Sequence, residues 1–213
     1  MTKKVLRESL GTFILVFMGT TTAALTGNIL ATALAFGLGV VAAAYVLGGD
    51  FNPAVSFARL LKKDISVTDF LLNFASQIVG ALLGTLVLWI FLGDKASLVG
   101  LGANTLQGGF AAADLGLVIG LLAETILTFI FVLAVLAVTK SDNNHAPLVI
   151  GLVLIGVIIV GFNITGTSVN PARSLAPALF TGGQALKEVW LFSVAPLLGG
   201  GLAALLDGHL NKE

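Results

Sequence analysis

Six runs of apolar residues, each close to the length that crosses a bilayer, leave this chain few possible folds. They cover roughly 5–26, 29–47, 69–92, 115–138, 146–164 and 186–206. A spanning helix needs about 20 mostly apolar residues. Turn-forming residues break the runs, as in Thr26-Gly27-Asn28 and Lys140-Ser141-Asp142-Asn143-Asn144. Of the 213 residues, 57% are hydrophobic and 10% charged, against about 25% charged in a soluble domain. Polar surface for a water-facing shell is missing, so lipid is the expected solvent and an all-α membrane protein the expected class. Lys3, Lys4 and Arg7 ahead of the first run resemble a secretory leader, but Glu8 interrupts it and no small-residue cleavage site follows. The reading is a retained first span. A net charge of zero gives no sign of nucleic-acid binding. With no Cys and two His, disulfides, thiolate sites and a His-based metal cage are not expected. No cofactor is implied, and no nucleophile–base pair marks an enzyme.

Six spans put both termini on one side. Lys3, Lys4, Arg7, Arg59, Lys62, Lys63, Lys140 and Lys212 share that side, while Lys95, Arg173 and Lys187 lie on the other. Eight basic residues against three predict that both termini are cytoplasmic. Short loops and minimal tails point to a multi-pass protein of a bacterial plasma membrane.

Two short stretches fall outside the six runs and begin alike: Asn52-Pro53-Ala54-Val55-Ser56-Phe57-Ala58 and Asn170-Pro171-Ala172-Arg173-Ser174-Leu175-Ala176. Asn is a strong N-cap, and Pro suits the first helical position, where its missing N–H is not needed. Each stretch predicts a helix of about ten residues, ending near Lys62 and Phe180. At 1.5 Å per residue that is about 15 Å, half the hydrocarbon core. The two therefore read as half-helices that enter from opposite sides and meet near the midplane.

The triplets belong to a longer repeat. Glu8-Ser9-Leu10-Gly11-Thr12-Phe13-Ile14 matches Glu124-Thr125-Ile126-Leu127-Thr128-Phe129-Ile130 in Glu, Thr, Phe and Ile. Glu8 precedes Asn52 by 44 residues, and Glu124 precedes Asn170 by 46. Gln77-Ile78-Val79-Gly80 and Pro196-Leu197-Leu198-Gly199 hold similar places in the third and sixth spans. Three spans per half, an odd number, make the repeats inverted, roughly 5–92 and 115–206 within a single domain spanning 1–213. Such repeats place a substrate path at their interface.

Non-helical backbone at membrane depth is tolerated where it is buried or lines a wet cavity. The segments before the triplets, Gly48-Gly49-Asp50-Phe51 and Thr165-Gly166-Thr167-Ser168-Val169, are such backbone. The carbonyls of Gly48, Gly49, Asp50, Gly166, Thr167 and Ser168 are expected to ladder a narrow path. Two half-helix N-termini meeting midway each bring about half a positive charge, which repels cations and hydronium. Asn52 and Asn170 can cap their helices and still offer an N–H to a passing water, which conducts water without relaying protons. Arg173, an arginine within an apolar segment, is expected to face an aqueous cavity. Glu8 and Glu124 are expected to support the loops by accepting backbone hydrogen bonds.

Paired Asn-Pro-Ala motifs in an inverted repeat resemble the aquaporin, or major intrinsic protein, family over roughly 5–206. The resemblance implies a right-handed bundle of six transmembrane helices plus two re-entrant half-helices, usually a homotetramer with one pore per subunit. It also implies a selectivity filter, carried here by Phe36, Ile158, Thr167 and Arg173. Water-selective bacterial members typically have His at the place of Ile158. Glycerol-conducting members pair a small residue there with an aromatic at the place of Thr167, so this filter is intermediate. Ser174 resembles the water type, and Phe192-Ser193 lacks the Trp that often follows in water channels. The loop before Asn52 is about four residues shorter than the family's, with Asp50 in the place of a His. Asp50 is expected either to cap the start of the half-helix or to line the cytoplasmic mouth and make permeability pH-dependent.

The leading expectation is a passive water channel that excludes protons and ions. A facilitator of small neutral solutes such as glycerol, hydrogen peroxide or ammonia shares the fold. An ion-coupled transporter would need titratable groups near the midplane, and the only candidates, Glu8 and Glu124, sit near the starts of their spans.

Overall fold

The computed structural model describes residues 2–96, 100–140 and 143–210. Its surface is inverted relative to a water-soluble protein. Val46, Phe91 and Leu205 are exposed, whereas Glu8, Gln77, Glu124 and Arg173 are buried. With lipid outside, apolar side chains are the comfortable exterior and polar groups must find partners within.

The helices in chain order are α1 (Thr2–Thr26), α2 (Ile29–Val46), α3 (Pro53–Leu61), α4 (Val67–Leu92), α5 (Gly108–Ala112), α6 (Gly116–Val138), α7 (Ala146–Thr165), α8 (Pro171–Thr181), α9 (Gly183–Glu188) and α10 (Leu191–Leu210). Short 3-10 turns at Gly93–Lys95 and Gly100–Gly102 lie between α4 and α5, and no strand occurs among the described residues. Six segments are long and apolar enough to cross a membrane: α1, α2, α4 with its 3-10 extension, α6, α7, and the stretch from Gly183 to Leu210. They fall on the six apolar runs to within a few residues, and the chain is a multi-pass membrane protein.

Local chemistry sets the boundaries. Asn28 caps α2 by accepting from the Ala31 N–H at 2.8 Å. Ser66 and Asp69 form a reciprocal capping box at the start of α4. Gly166, at φ +71°, ends α7 in the left-handed region. The half-helices α3 and α8 run nine and eleven residues, each with Pro at its first position, close to the lengths read from the sequence.

α1 packs on α2 and α4, α6 packs on α7 and α10, and α2 meets α7 between the two groups. Each half-helix crosses over: α3 packs against α10, and α8 against α4. The tightest crossings recur in both halves. A Cβ on Gly80 would lie 2.1 Å from the Ser9 carbonyl oxygen, and one on Gly199 would lie 2.4 Å from that of Thr125. Only glycine lets either pair of helices approach so closely. Ser9 and Thr125 each follow a buried glutamate by one residue, and Gly80 and Gly199 hold matching places in the third and sixth spans.

Polar contacts gather several helix ends on one face. Lys4 donates to Asp69 at 2.7 Å. Lys62, at the end of α3, and Lys140, just after α6, both pair with Asp207 near the end of α10. Tyr45, near the end of α2, donates to the Asn144 carbonyl at 3.0 Å. At the opposite end, Arg173 binds the carbonyl of Gly102, which follows α4. Lys212, placed on the terminal side by the sequence, lies outside the described residues.

Candidate functional site

The two short segments that precede α3 and α8 meet at the centre of the bundle, each anchored from behind by a buried glutamate. Glu8 accepts from the N–H groups of Asp50 (2.8 Å) and Phe51 (2.9 Å) and from Gln77 Nε2 (2.8 Å). Glu124 accepts from the N–H groups of Ser168 (2.8 Å) and Val169 (2.9 Å) and from the Thr165 hydroxyl (2.6 Å). A carboxylate is the natural group here. The loop amides have no helical partner, and a buried N–H left unmade is expensive.

Asn52 and Asn170 each do two things at once. Asn52 Oδ1 accepts from the Ala54 N–H at 2.9 Å, and Asn170 Oδ1 accepts from the N–H groups of Ala172 and Arg173 at 3.0 and 3.2 Å. Their amide nitrogens reach across the interface. Asn52 Nδ2 donates to the Val169 carbonyl at 2.7 Å, and Asn170 Nδ2 to the Phe51 carbonyl at 3.0 Å. Phe51 and Val169, each immediately before its Asn, have φ of +54° and +48°. Left-handed backbone at a bulky residue is strained by about 1–3 kcal/mol; here it coincides with the carbonyls that accept the cross-bonds. Each Asn keeps a second N–H beyond its cross-bond, and both residues line a cavity of about 520 Å³.

Phe36, Ile158, Thr167 and Arg173, from four different segments, line that same cavity. The Arg173 guanidinium lies 4.9 Å from the centre of the Phe36 ring and donates to the Gly102 carbonyl at 3.0 Å. The Thr167 hydroxyl donates to the Ile158 carbonyl at 3.2 Å. A Cβ on Gly19 would come within 2.2 Å of the Phe36 ring, so the ring's position depends on that glycine.

Two sequence expectations change. The cavity is lined by Gly49, Asp50, Thr167 and Ser168 together with Phe51 and Val169, and not by Gly48 or Gly166. Gly166 closes α7, its N–H bonding to the Phe162 carbonyl. Asp50 does not cap α3, since Asn52 holds that place. Asp50 does border the cavity, and its carboxylate accepts from Ser56 Oγ (2.6 Å), Arg59 Nη1 (2.8 Å) and Asn73 Nδ2 (3.1 Å). Sequence reasoning also missed Asn104, whose Nδ2 donates to the Thr165 carbonyl at 3.1 Å and whose Oδ1 accepts from Ser174 at 2.7 Å. Its signal was one of two amide residues, Asn104 and Gln107, in the connection between the halves, too weak to act on without the fold.

The arrangement has counterparts among known proteins. The profile of the family described as Major intrinsic protein matches residues 1–207. Glycerol uptake facilitator protein-like 6 of Lactiplantibacillus plantarum is 41% identical over 219 residues, covering 99% of each chain. Aquaporin Z of Brucella melitensis is 36% identical and covers all of both chains. Among solved structures, the aquaglyceroporin from Plasmodium falciparum superposes with a TM-score of 0.83 over 96% of this chain and 94% of that one, at 23% identity. That last likeness concerns the fold. Taken with the profile and the relatives that cover its whole length, it means that the chain belongs to the major intrinsic protein family.

Proposed function

We propose that the chain is a passive transmembrane water channel that excludes protons and ions. The observation that carries this reading is the crossed pair at the centre. Asn52 and Asn170 each spend one amide hydrogen on the opposite loop and keep another, and both border the cavity. A water accepting from both would have its oxygen fixed and its hydrogens turned outward, so a proton could not be handed through it. The positive ends of α3 and α8 and the cation of Arg173 raise the energy of any cation in the same place. Solvent-filled geometry suffices for such conduction; no covalent chemistry is required, in keeping with a family of channels rather than enzymes.

A second reading, facilitation of small neutral solutes such as glycerol, hydrogen peroxide or ammonia, has its own support. Ile158 gives the filter an apolar wall, and the 41% identical relative is named a glycerol uptake facilitator protein. Stopped-flow shrinkage of proteoliposomes, first with an impermeant osmolyte and then with glycerol, tests both. The water reading expects permeability well above that of protein-free vesicles and glycerol permeation near background. Glycerol permeation comparable to that of a facilitator would shift the assignment to the second reading, and background rates for both would defeat each.

The same proposal includes the internal duplication, with inverted repeats at roughly 5–92 and 115–206. The recurring glutamate anchors and glycine crossings support it. It also includes a homotetramer with one pore per subunit, in a bacterial plasma membrane with both termini cytoplasmic. The mass of the detergent-solubilised particle tests the assembly.

A further inference from the structure

Asn52, Val55, Arg59 and Lys62 follow at spacings of three, four and three, so they form one stripe of α3, and all four line the cavity. Arg59 lies seven residues beyond Asn52, about 10 Å along the helix axis, while Arg173 lies three residues beyond Asn170, about 4–5 Å along α8. The cavity therefore has an arginine on each side of its centre. Their partners differ. Arg173 contacts neutral groups, the Gly102 carbonyl and the Phe36 ring. Arg59 meets the carboxylate of Asp50 at 2.8 Å, with the arginine side chain 37% exposed and the aspartate 4%. Both residues border the cavity, and the acid is the more deeply buried of the two.

The second half has nothing equivalent. Two residues before its Asn stands Ser168, whose hydroxyl lies 2.5 Å from that of Ser174, where the first half has Asp50 bound to Ser56. The first half thus keeps the same loop-to-helix bond but makes it with a charged group. A bare carboxylate about 6 Å from a pore, at an effective dielectric of ~40, would raise cation occupancy roughly tenfold.

We propose that Asp50 and Arg59 form a second charge-setting station of the pore, on the side of the chain termini, where Arg59 cancels the field of the Asp50 carboxylate. The inference rests on reading the cavity as a pore. Its rival is a purely structural ion pair, and the two differ in sign. Arg59→Gln and Asp50→Asn break the same bond, but one leaves a negative charge at the lumen and the other a positive one.

The experiment measures potassium leak from proteoliposomes under an imposed membrane potential, with Arg173→Val as the reference because it lowers the other cation barrier. Adding Arg59→Gln is expected to raise the leak about tenfold, and adding Asp50→Asn to drop it below the reference. A rise in both double variants, or no change in either, overturns the proposal. If the Arg59→Gln protein does not insert, the Asp50→Asn arm still decides, since a broken strut raises the leak and an added positive charge lowers it. If the reference leak is itself at background, Arg59→Gln must lift it above background, and failure to do so overturns the proposal. Shrinkage of the same vesicles with wild-type protein reports on water and glycerol separately, so a failed channel assignment is seen apart from a failed station.

Discussion

Glu8 and Glu124 hold two loops in place by supplying acceptors to backbone that no helix serves. In Glu124→Gln one carboxylate oxygen becomes an NH2 group facing N–H donors. At least one charge-assisted hydrogen bond, worth about 1.5–3 kcal/mol, is lost. The thermal midpoint in detergent should fall by several degrees and water permeability should drop with it; an unchanged midpoint would show that the loop is held by something else. At the proposed filter, Ile158→His should lower glycerol permeation relative to water by adding a polar wall. Parallel loss of both fluxes in stopped flow would mean a blocked pore instead of a sharpened one. These residues were legible in the sequence because their types are conspicuous in an apolar run: two glutamates, a repeated Asn-Pro-Ala, one arginine. Asp50 was not. Its partners stand six, nine and 23 residues away, and only the folded loop shows that Ser56, Arg59 and Asn73 converge on it. Asn73 did carry one faint sign, an amide residue one helical turn before Gln77 in a mostly apolar span.

The two half-helices could be read from capping chemistry and length, and their observed ends fall within a residue of the expected ones. What each packs against could not. α3 lies on α10 and α8 on α4, an exchange between halves that depends on how the spans come round in space and leaves no mark in local periodicity. The glycine crossings behave similarly: Gly80 and Gly199 resemble the other glycines of an apolar helix until the neighbouring carbonyl is seen 2.1 and 2.4 Å from where a Cβ would stand. Gly199→Leu should therefore force α10 from α6 and destabilise the protein by about 1–3 kcal/mol or more, the usual scale of overpacking. Gly156→Ala, with nothing within 4 Å of its new Cβ, should be neutral or gain up to about 1 kcal/mol from helix propensity. Thermal unfolding of both variants in one detergent checks the contrast; equal losses would mean that the crossing tolerates the larger side chain.

At the scale of the whole molecule, the six spans and the re-entrant pair were legible because bilayer thickness converts directly into run length. The sidedness of the chain rests on its few basic residues, and the absence of cysteine makes it easy to test. Lys3→Cys and Lys95→Cys each introduce a single thiol at an exposed position. A membrane-impermeant maleimide added to intact cells should label only the second. Labelling of Lys3→Cys instead would invert the topology and with it the side assigned to Asp50 and Arg59. The crossed hydrogen bonds at the centre also bear on how such a chain is made. Phe51 and Asn52 find their partners 119 and 117 residues further along. At about 5–20 residues per second, the first loop waits on the order of ten seconds in the membrane before Val169 and Asn170 leave the ribosome. The molecule is thus closed from its middle by its own later half, and a nascent chain stopped short of Asn170 holds its first half-helix without the bonds that finish it.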